Sequence, residues 1–361
     1  MKLLDRFILK EIVPYFFFGI ITFTSLILGI GAVFKILRLA MDYQTGPLVV
    51  MQLFLLKLPE VVMYTLPMSA LFCVLLVFSR MSSDFEITAF NAAGVCFLRL
   101  VVPVLLFAFI VSLLGLFMSD RIVPLSNEMF NRLMNQATGK SRDEKGRPIF
   151  YRDVEGGLAK EEVYAVSLHG DMLREAQYQE FQDGKLKFMI RAAQARWQRN
   201  SWSFQSGTRY DYAPNGELRN MVKFEKMDII FMVSPAELIQ QQKEPDSLTL
   251  KELNNRILYL KRAKIKERDL RKLQVDFHAK IAIPFASFMF ALIAAPLGFH
   301  PQRASSSIGL GLSVIIILFY YIIQGTLRVM GQGWLSPPVA AWLPNTILLF
   351  LGIWLNAKAN K

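Results

Sequence analysis

Six stretches of the sequence, at 12–34, 61–79, 101–119, 281–299, 304–327 and 329–357, contain no Asp, Glu, Lys or Arg. A helix needs roughly 20 apolar residues to cross about 30 Å of hydrocarbon, and there every backbone amide must find its partner within the protein. Runs of this length and this little charge read as membrane-spanning helices. The last run contains a turn at 334–338, which places its spanning part at 339–355. The spans come in two groups of three, one within residues 1–135 and one within 273–361. The fold class is an α-helical membrane protein with six transmembrane helices in a three-plus-three layout.

The first run is longer than the apolar part of a secretory signal. Its leader, MKLLDRFILKEI, is partly acidic and no A-x-A site follows, so it reads as an uncleaved helix. Cys73 and Cys96 lie in or beside membrane segments and offer neither a disulfide framework nor a metal-ligand spacing. In a chain that is 53% hydrophobic, the net charge of +12 points to anionic lipid rather than nucleic acid.

The segment between the two groups obeys different rules. Residues 136–245 are polar, with short alternating runs broken at Asp183-Gly184, Ser206-Gly207 and Pro214-Asn215-Gly216. Segments 187–192, 195–204 and 222–233 read as strands, rich in aromatic and β-branched residues. About 100 residues with several short strands suggest a small sandwich or jelly roll, inserted between the helical halves. Residues 248–275 read as a helix. Thr249 and Glu252 have capping-box spacing, and Leu250, Leu253, Ile257 and Leu260 keep the helical period. Its later part is basic, with Arg256, Lys261, Arg262, Lys264 and Lys266, so 246–272 forms a basic amphipathic connection into the fourth span.

Orientation follows from Lys and Arg near span ends. With the N-terminus inside, the inner pieces carry Lys2, Arg6, Lys10, Arg80, Arg99, Arg303, Lys358 and Lys361. The short outer loops then carry Lys35, Arg38, Lys57 and Arg328. The basic run at 256–272 would lie outside and argues the other way, but long translocated domains largely escape the rule. N-terminus inside is the expectation.

No catalytic or metal constellation is legible. His169, His278 and His300 are scattered, and neither a nucleophile elbow nor H-E-x-x-H occurs. Thr138-Gly139-Lys140-Ser141 resembles the end of a Walker A loop, but Met134 stands where the first glycine belongs and no apolar strand leads in. Energy from ATP therefore has to come from another subunit.

The loop 80–94, RMSSDFEITAFNAAG, is more informative. Ser83 and Glu86 have capping-box spacing and Gly94 suits a C-terminal cap, giving a helix of about ten residues at the inner surface. Glu86 either only caps this helix, or belongs to a coupling helix that docks into a partner and transmits its motion; both can hold. Charges beside spans are costly and mark candidate sites. Lys35 and Arg38 share a helical face at the end of span 1, and Tyr320, Gln324 and Arg328 recur at i, i+4 and i+8 in span 5. These are either snorkelling anchors or a cationic lining for an anionic amphiphile.

Four features occur in order: Lys35/Arg38, the loop Phe85-Glu86-Ile87-Thr88-Ala89-Phe90-Asn91-Ala92-Ala93-Gly94, Pro284 followed by Ala295-Pro296-Leu297-Gly298, and Trp342-Leu343-Pro344-Asn345. Over its whole length the chain resembles the LptF/LptG family of lipopolysaccharide-export permeases. The resemblance implies an ABC transporter of the bacterial inner membrane in which two permease subunits pair, as paralogues or as copies. An LptB-like ATPase dimer would bind their coupling helices, so this chain would be no enzyme and would need no cofactor. The middle domain would be a periplasmic β-jellyroll, with both termini cytoplasmic. Lipopolysaccharide would leave the outer leaflet through gates lined by spans 1 and 5 and pass to LptC-like and LptA-like jellyroll proteins.

By the same resemblance Glu86 stands where the family's coupling carboxylate meets the ATPase, with Arg80, Asp84 and Phe90 beside it in the loop. Lys35 and Arg38 match first-span cations that face lipid phosphates, and Arg132 falls near a basic position of the family. Arg328 and Gln324 enter from the span 5 stripe and not from a family motif. One alternative is a mechanotransmitting ABC subunit, which moves a periplasmic domain without moving lipid and needs no cations at its gates. A membrane-embedded enzyme would need clustered acids, His or Ser at one depth, and a secondary transporter would need mid-membrane carboxylates. Glu11, Glu60 and Asp120 all lie at span ends.

Overall fold

The computed structural model describes residues 3–32, 36, 38, 41–43, 45–137, 149–155, 158–182, 184–198, 201–229, 233–235, 238, 245–262, 267–299 and 306–359. The chain divides into a helical unit, Met1–Asn131 with Arg271–Lys361, and an inserted unit, Arg132–Leu270. The helices are α1 (Leu3–Ile27), α2 (Pro47–Ser83), α3 (Glu86–Ala92), α4 (Phe97–Phe117), α5 (Val123–Ala137), α6 (Leu250–Arg262), α7 (Glu267–Gly298), α8 (Ser306–Gly331) and α9 (Pro337–Ala359). A π turn at Leu28–Ala32 extends α1, and another at Met118–Ile122 joins α4 to α5.

Among the described residues, six helical stretches are long and apolar enough to cross a membrane: Leu3–Gly31, Pro47–Ser83, Phe97–Ala137, Glu267–Gly298, Gly311–Gly331 and Pro337–Ala359. Three precede the insertion and three follow it, as the uncharged runs imply. Spans 2 and 4 form the centre, with 78% and 72% of their apolar windows buried inside the chain, against 22% for spans 1 and 5. The central packing is aromatic and aliphatic, with Phe16 edge-on to Phe107 and Phe78 edge-on to Phe97. Spans 1 and 5, with span 6 close to them at 28%, therefore leave the largest share of their surface for lipid or for another subunit.

Prolines inside the spans determine how the helices are tied together. A helix proline has no N–H to give the carbonyl four residues back, and its ring pushes that carbonyl aside. In hydrocarbon a freed carbonyl must be met by a neighbouring helix. Pro284 frees the Lys280 carbonyl, and Ser119 Oγ, in the π turn after α4, donates to it at 3.2 Å. Pro296 frees the Leu292 carbonyl, and Asn356 Nδ2 of α9 donates to it at 2.8 Å. Beside Pro67 of α2 the Tyr64 carbonyl accepts the Tyr321 hydroxyl of α8 at 2.9 Å. Each of these bonds crosses from one span to another.

The inserted unit is an antiparallel sheet in the order β1-β2-β4-β5-β6-β7, with β3 also on β4. The strands are β1 (Ile149–Glu155), β2 (Leu158–Ala165), β3 (Ser167–His169), β4 (Met172–Gln182), β5 (Lys185–Gln198), β6 (Ser201–Tyr212) and β7 (Leu218–Ile229). Its core includes Tyr178, Ile190, Trp202 and Phe204. Segment 195–204, read above as one strand, is instead the two arms of a hairpin. Trp197 of β5 faces Trp202 of β6 with ring centroids 5.3 Å apart. Tryptophans on both arms kept the apolar signal high across the break.

Ser206-Gly207, read above as a turn, lies inside β6. Register skips Glu175 and Ala193 between β4 and β5, Ala193 and Ser206 between β5 and β6, and Ser206 and Glu225 between β6 and β7. The skipped residues form one line across four strands. Along it the buried positions step by three instead of two, from Leu173 to Ala176 and from Ala192 to Ala195. Register is kept across the line, since one residue is passed over on each strand, and the sheet turns there while the same face stays inside. Glu175 and Ser206 take left-handed backbone, with φ of 49° and 53°. A Cβ at position 207 would lie 2.5 Å from the Phe224 ring and 2.6 Å from the Arg191 carbonyl, so only glycine fits beside this line. Because left-handed φ is worst for β-branched residues, Ser206→Val is expected to destabilise the protein by about 2 kcal/mol and Ser206→Gly not at all. Thermal unfolding of the full chain in detergent checks this, and equal melting of the two variants would count against backbone strain here.

The capping box at α6 is formed in full. The Thr249 N–H donates to Glu252 Oε2 at 2.8 Å and the Glu252 N–H donates to Thr249 Oγ1 at 3.2 Å. Leu253 and Ile257 bury the apolar face. The sequence predicts one helix over 248–275; the described residues show α6 ending at Arg262 and α7 starting at Glu267, with Lys264 and Lys266 outside the description.

Candidate functional site

The short helix α3 sits between spans 2 and 3. Ser83, expected to cap it, is still in the last turn of α2, where its hydroxyl donates to the Ser79 carbonyl at 2.9 Å. The break comes two residues later, at Phe85, whose φ of 59° and ψ of 12° lie in the left-handed region. An aromatic residue there costs about 1–2 kcal/mol relative to ordinary backbone. The other end closes as a Schellman motif, as Gly94 implies. The Gly94 N–H donates to the Asn91 carbonyl and the Val95 N–H to the Phe90 carbonyl, both at 2.9 Å, with Gly94 at φ 83°.

The seven-residue helix Glu86–Ala92 is held from one side. Ile87 is fully buried and Phe90 packs into the helical core, its ring 6.4 Å from Phe7 of α1. The other side, with Asp84, Phe85, Thr88 and Ala89, is exposed. Glu86 is half-buried, and its Oε2 is closed to solvent with no hydrogen-bond donor on it among the described residues. The flanking cations are engaged: Arg80 pairs with Glu11 at 2.8 Å and Arg99 with Asp5 at 2.6 Å. These two pairs tie the start of α1 to both ends of the loop.

The span 5 stripe is turned into the bundle. The Tyr320 hydroxyl donates to Asn345 Oδ1 of α9 at 2.9 Å, and Asn345 Nδ2 donates to the Ala282 carbonyl of α7 at 2.7 Å. Arg328 places Nε at 3.1 Å and Nη2 at 2.7 Å from one oxygen of Asp276 on α7. Between them Gln324 is 4% exposed, and neither end of its amide has a partner among the described residues. Asp276 was missed in the sequence because it sits just before an uncharged run. Its signal is the acid of span 4 nearest the uncharged run, set against the one basic residue of span 5.

A cavity of about 420 Å³ opens between spans 1, 2 and 5, lined by Ile27 and Gly31 of span 1, Val61, Tyr64 and Met68 of α2, and Tyr321 of α8. Its polar end is Lys57 and Glu60 of α2, paired at 2.6 Å. Gly31 lies at the end of span 1 that leads into Lys35 and Arg38. Arg38 is exposed and Lys35 is outside the described residues. Arg132 is exposed on α5, at the start of the inserted unit.

Among the described residues no three His, Cys, Asp or Glu side chains gather as a metal site. His169 stands 3.3 Å from Ser167 Oγ and His278 packs edge-on to Phe277, while His300 and the tetrapeptide at 138–141 are outside the description.

No curated protein matches the chain. A family model, lipopolysaccharide export system permease LptF/LptG, matches residues 6–358. That match runs through all six spans, the α3 loop and the inserted sheet. The chain belongs to the LptF/LptG family of lipopolysaccharide export permeases, the membrane component of a transporter built with other Lpt proteins.

Proposed function

We propose that this chain takes lipopolysaccharide from the outer leaflet of the inner membrane and hands it on toward the outer membrane, driven by a separate LptB-like ATPase. The observation that carries the reading is the cavity between spans 1, 2 and 5: apolar walls suit acyl chains, and the Lys57–Glu60 pair stands at its polar end. Lys35 and Arg38 follow directly from span 1 and supply charge for lipid phosphates, and Arg132 adds another cation beyond span 3. Arg328 reaches lipid only if its pair with Asp276 opens, and Gln324 only if α8 turns. The loop with Glu86, Asp84, Phe90 and Arg80 receives the ATPase on the cytoplasmic side. The inserted sheet lies in the periplasm, where LptC-like and LptA-like proteins accept the lipid. A second permease subunit completes the gate along the exposed faces of spans 1 and 5.

The test is lipopolysaccharide release from proteoliposomes holding this chain, its paired permease and the ATPase. Lys35→Glu with Arg38→Glu is expected to cut ATP-dependent release more than tenfold while the ATPase still co-purifies. Undiminished release would leave the mechanotransmitting alternative standing.

A further inference from the structure

Phe85 carries two features that the chain alone has no use for. Its ring is 58% exposed, and its backbone is in the left-handed region, which glycine or asparagine would occupy with less strain. The surrounding fold needs only the backbone of this residue: its N–H donates to the Ser82 carbonyl at 3.2 Å, and its carbonyl accepts the Ala89 N–H at 2.9 Å. An exposed aromatic on strained backbone, next to a motif that closes a short rigid helix, has the anatomy of an interface anchor. Asp84, Thr88 and Ala89 around it are small or polar and exposed, which leaves the ring standing above a low rim. The platform under it does not give way, because Ile87 is fully buried and Phe90 is packed.

Charge identifies the partner surface. Arg80 and Arg99, on either side of the loop, are already paired with Glu11 and Asp5. The residues adjoining the ring are Asp84 and Glu86, and an oxygen of Glu86 meets no donor among the described residues. We infer that Phe85 is the anchor through which this permease seats on its ATPase, the ring entering an apolar socket whose rim carries Arg or Lys facing Asp84 and Glu86. The inference rests on the reading of α3 as the ATPase-docking element, and adds the residue that provides the affinity.

The experiment measures ATPase binding to the full permease in detergent for the wild type, Phe85→Gly and Phe85→Leu, with thermal unfolding of each. Phe85→Gly relieves the backbone and removes the ring, so it should melt no lower than the wild type yet bind at least tenfold more weakly. Phe85→Leu keeps apolar volume and should bind within a few-fold of the wild type. A Gly variant that binds as the wild type does overturns the anchor while leaving the docking role of α3 intact. A Gly variant that melts lower and loses binding in proportion shows a structural role and overturns it as well. A wild type that does not bind the ATPase overturns both readings.

Discussion

Replacing Asp276 by Leu while Arg328 stays is expected to destabilise the helical unit by about 3 kcal/mol, the low end for breaking a buried ion pair. Both donors of Arg328 converge on one oxygen of a carboxylate that is 7% exposed. Without it the guanidinium, set between spans 4 and 5, loses the carboxylate that takes both of these donors, and arginine does not shed its charge by giving up a proton. The figure is at the low end because the Arg328 side chain keeps 34% of its surface and can turn toward the interface. The reverse change, Arg328→Leu, is expected to cost less, because an orphaned carboxyl can take up a proton. The double variant, Asp276→Leu with Arg328→Leu, should recover most of the loss. Thermal unfolding of the four proteins in one detergent gives the cycle, and a double variant no better than Asp276→Leu alone would show that the pair is not what holds these spans together.

The second large effect is expected at Gly298, the last residue of α7. A Cβ there would lie 2.7 Å from Phe78 Cβ, 3.0 Å from the Leu75 carbonyl and 3.1 Å from the Ser79 nitrogen. Two of these three atoms are backbone of α2, which cannot move aside as a side chain does. Gly298→Ala is expected to destabilise by about 2 kcal/mol and Gly298→Leu to abolish the folded protein, because overpacking between two helix backbones has no rotamer to relieve it. Gly311 in α8 is the control: a Cβ there meets nothing within 4 Å, so Gly311→Ala should leave melting unchanged or raise it slightly. Monodisperse yield and melting of the three variants decide the matter; a well-folded Gly298→Leu protein would refute the close approach.

The six spans and the inserted sheet were legible because they rest on length, charge exclusion and alternation, signals that accumulate over many residues. The cap at Thr249 was legible because both partners lie in one turn. Ser83 had the same spacing to Glu86 and formed no cap, because α2 continues past it and the chain breaks at Phe85 instead. No local rule predicts an aromatic in left-handed backbone. The span 5 stripe was legible as a periodicity, but periodicity does not say which way a helix face points. Facing inward, it gave Arg328 a carboxylate partner, where a lipid phosphate was the other option. Ser206-Gly207 failed for a related reason: a dipeptide that ends a strand and one that bends it look alike until neighbouring strands show that the same line is skipped in each.

The bonds to proline-freed carbonyls also constrain descent. In each, the acceptor belongs to the main chain, so no substitution in span 4 other than loss of the proline itself removes the demand. If Pro296 is lost first, an amide returns to serve the Leu292 carbonyl, and Asn356 keeps its second bond, to the Gly352 carbonyl at 2.7 Å. If Asn356 is lost first, the carbonyl is stranded in hydrocarbon. The two changes are reachable in one order and blocked in the other, so the proline is free to vanish from a lineage while the asparagine is held until it has.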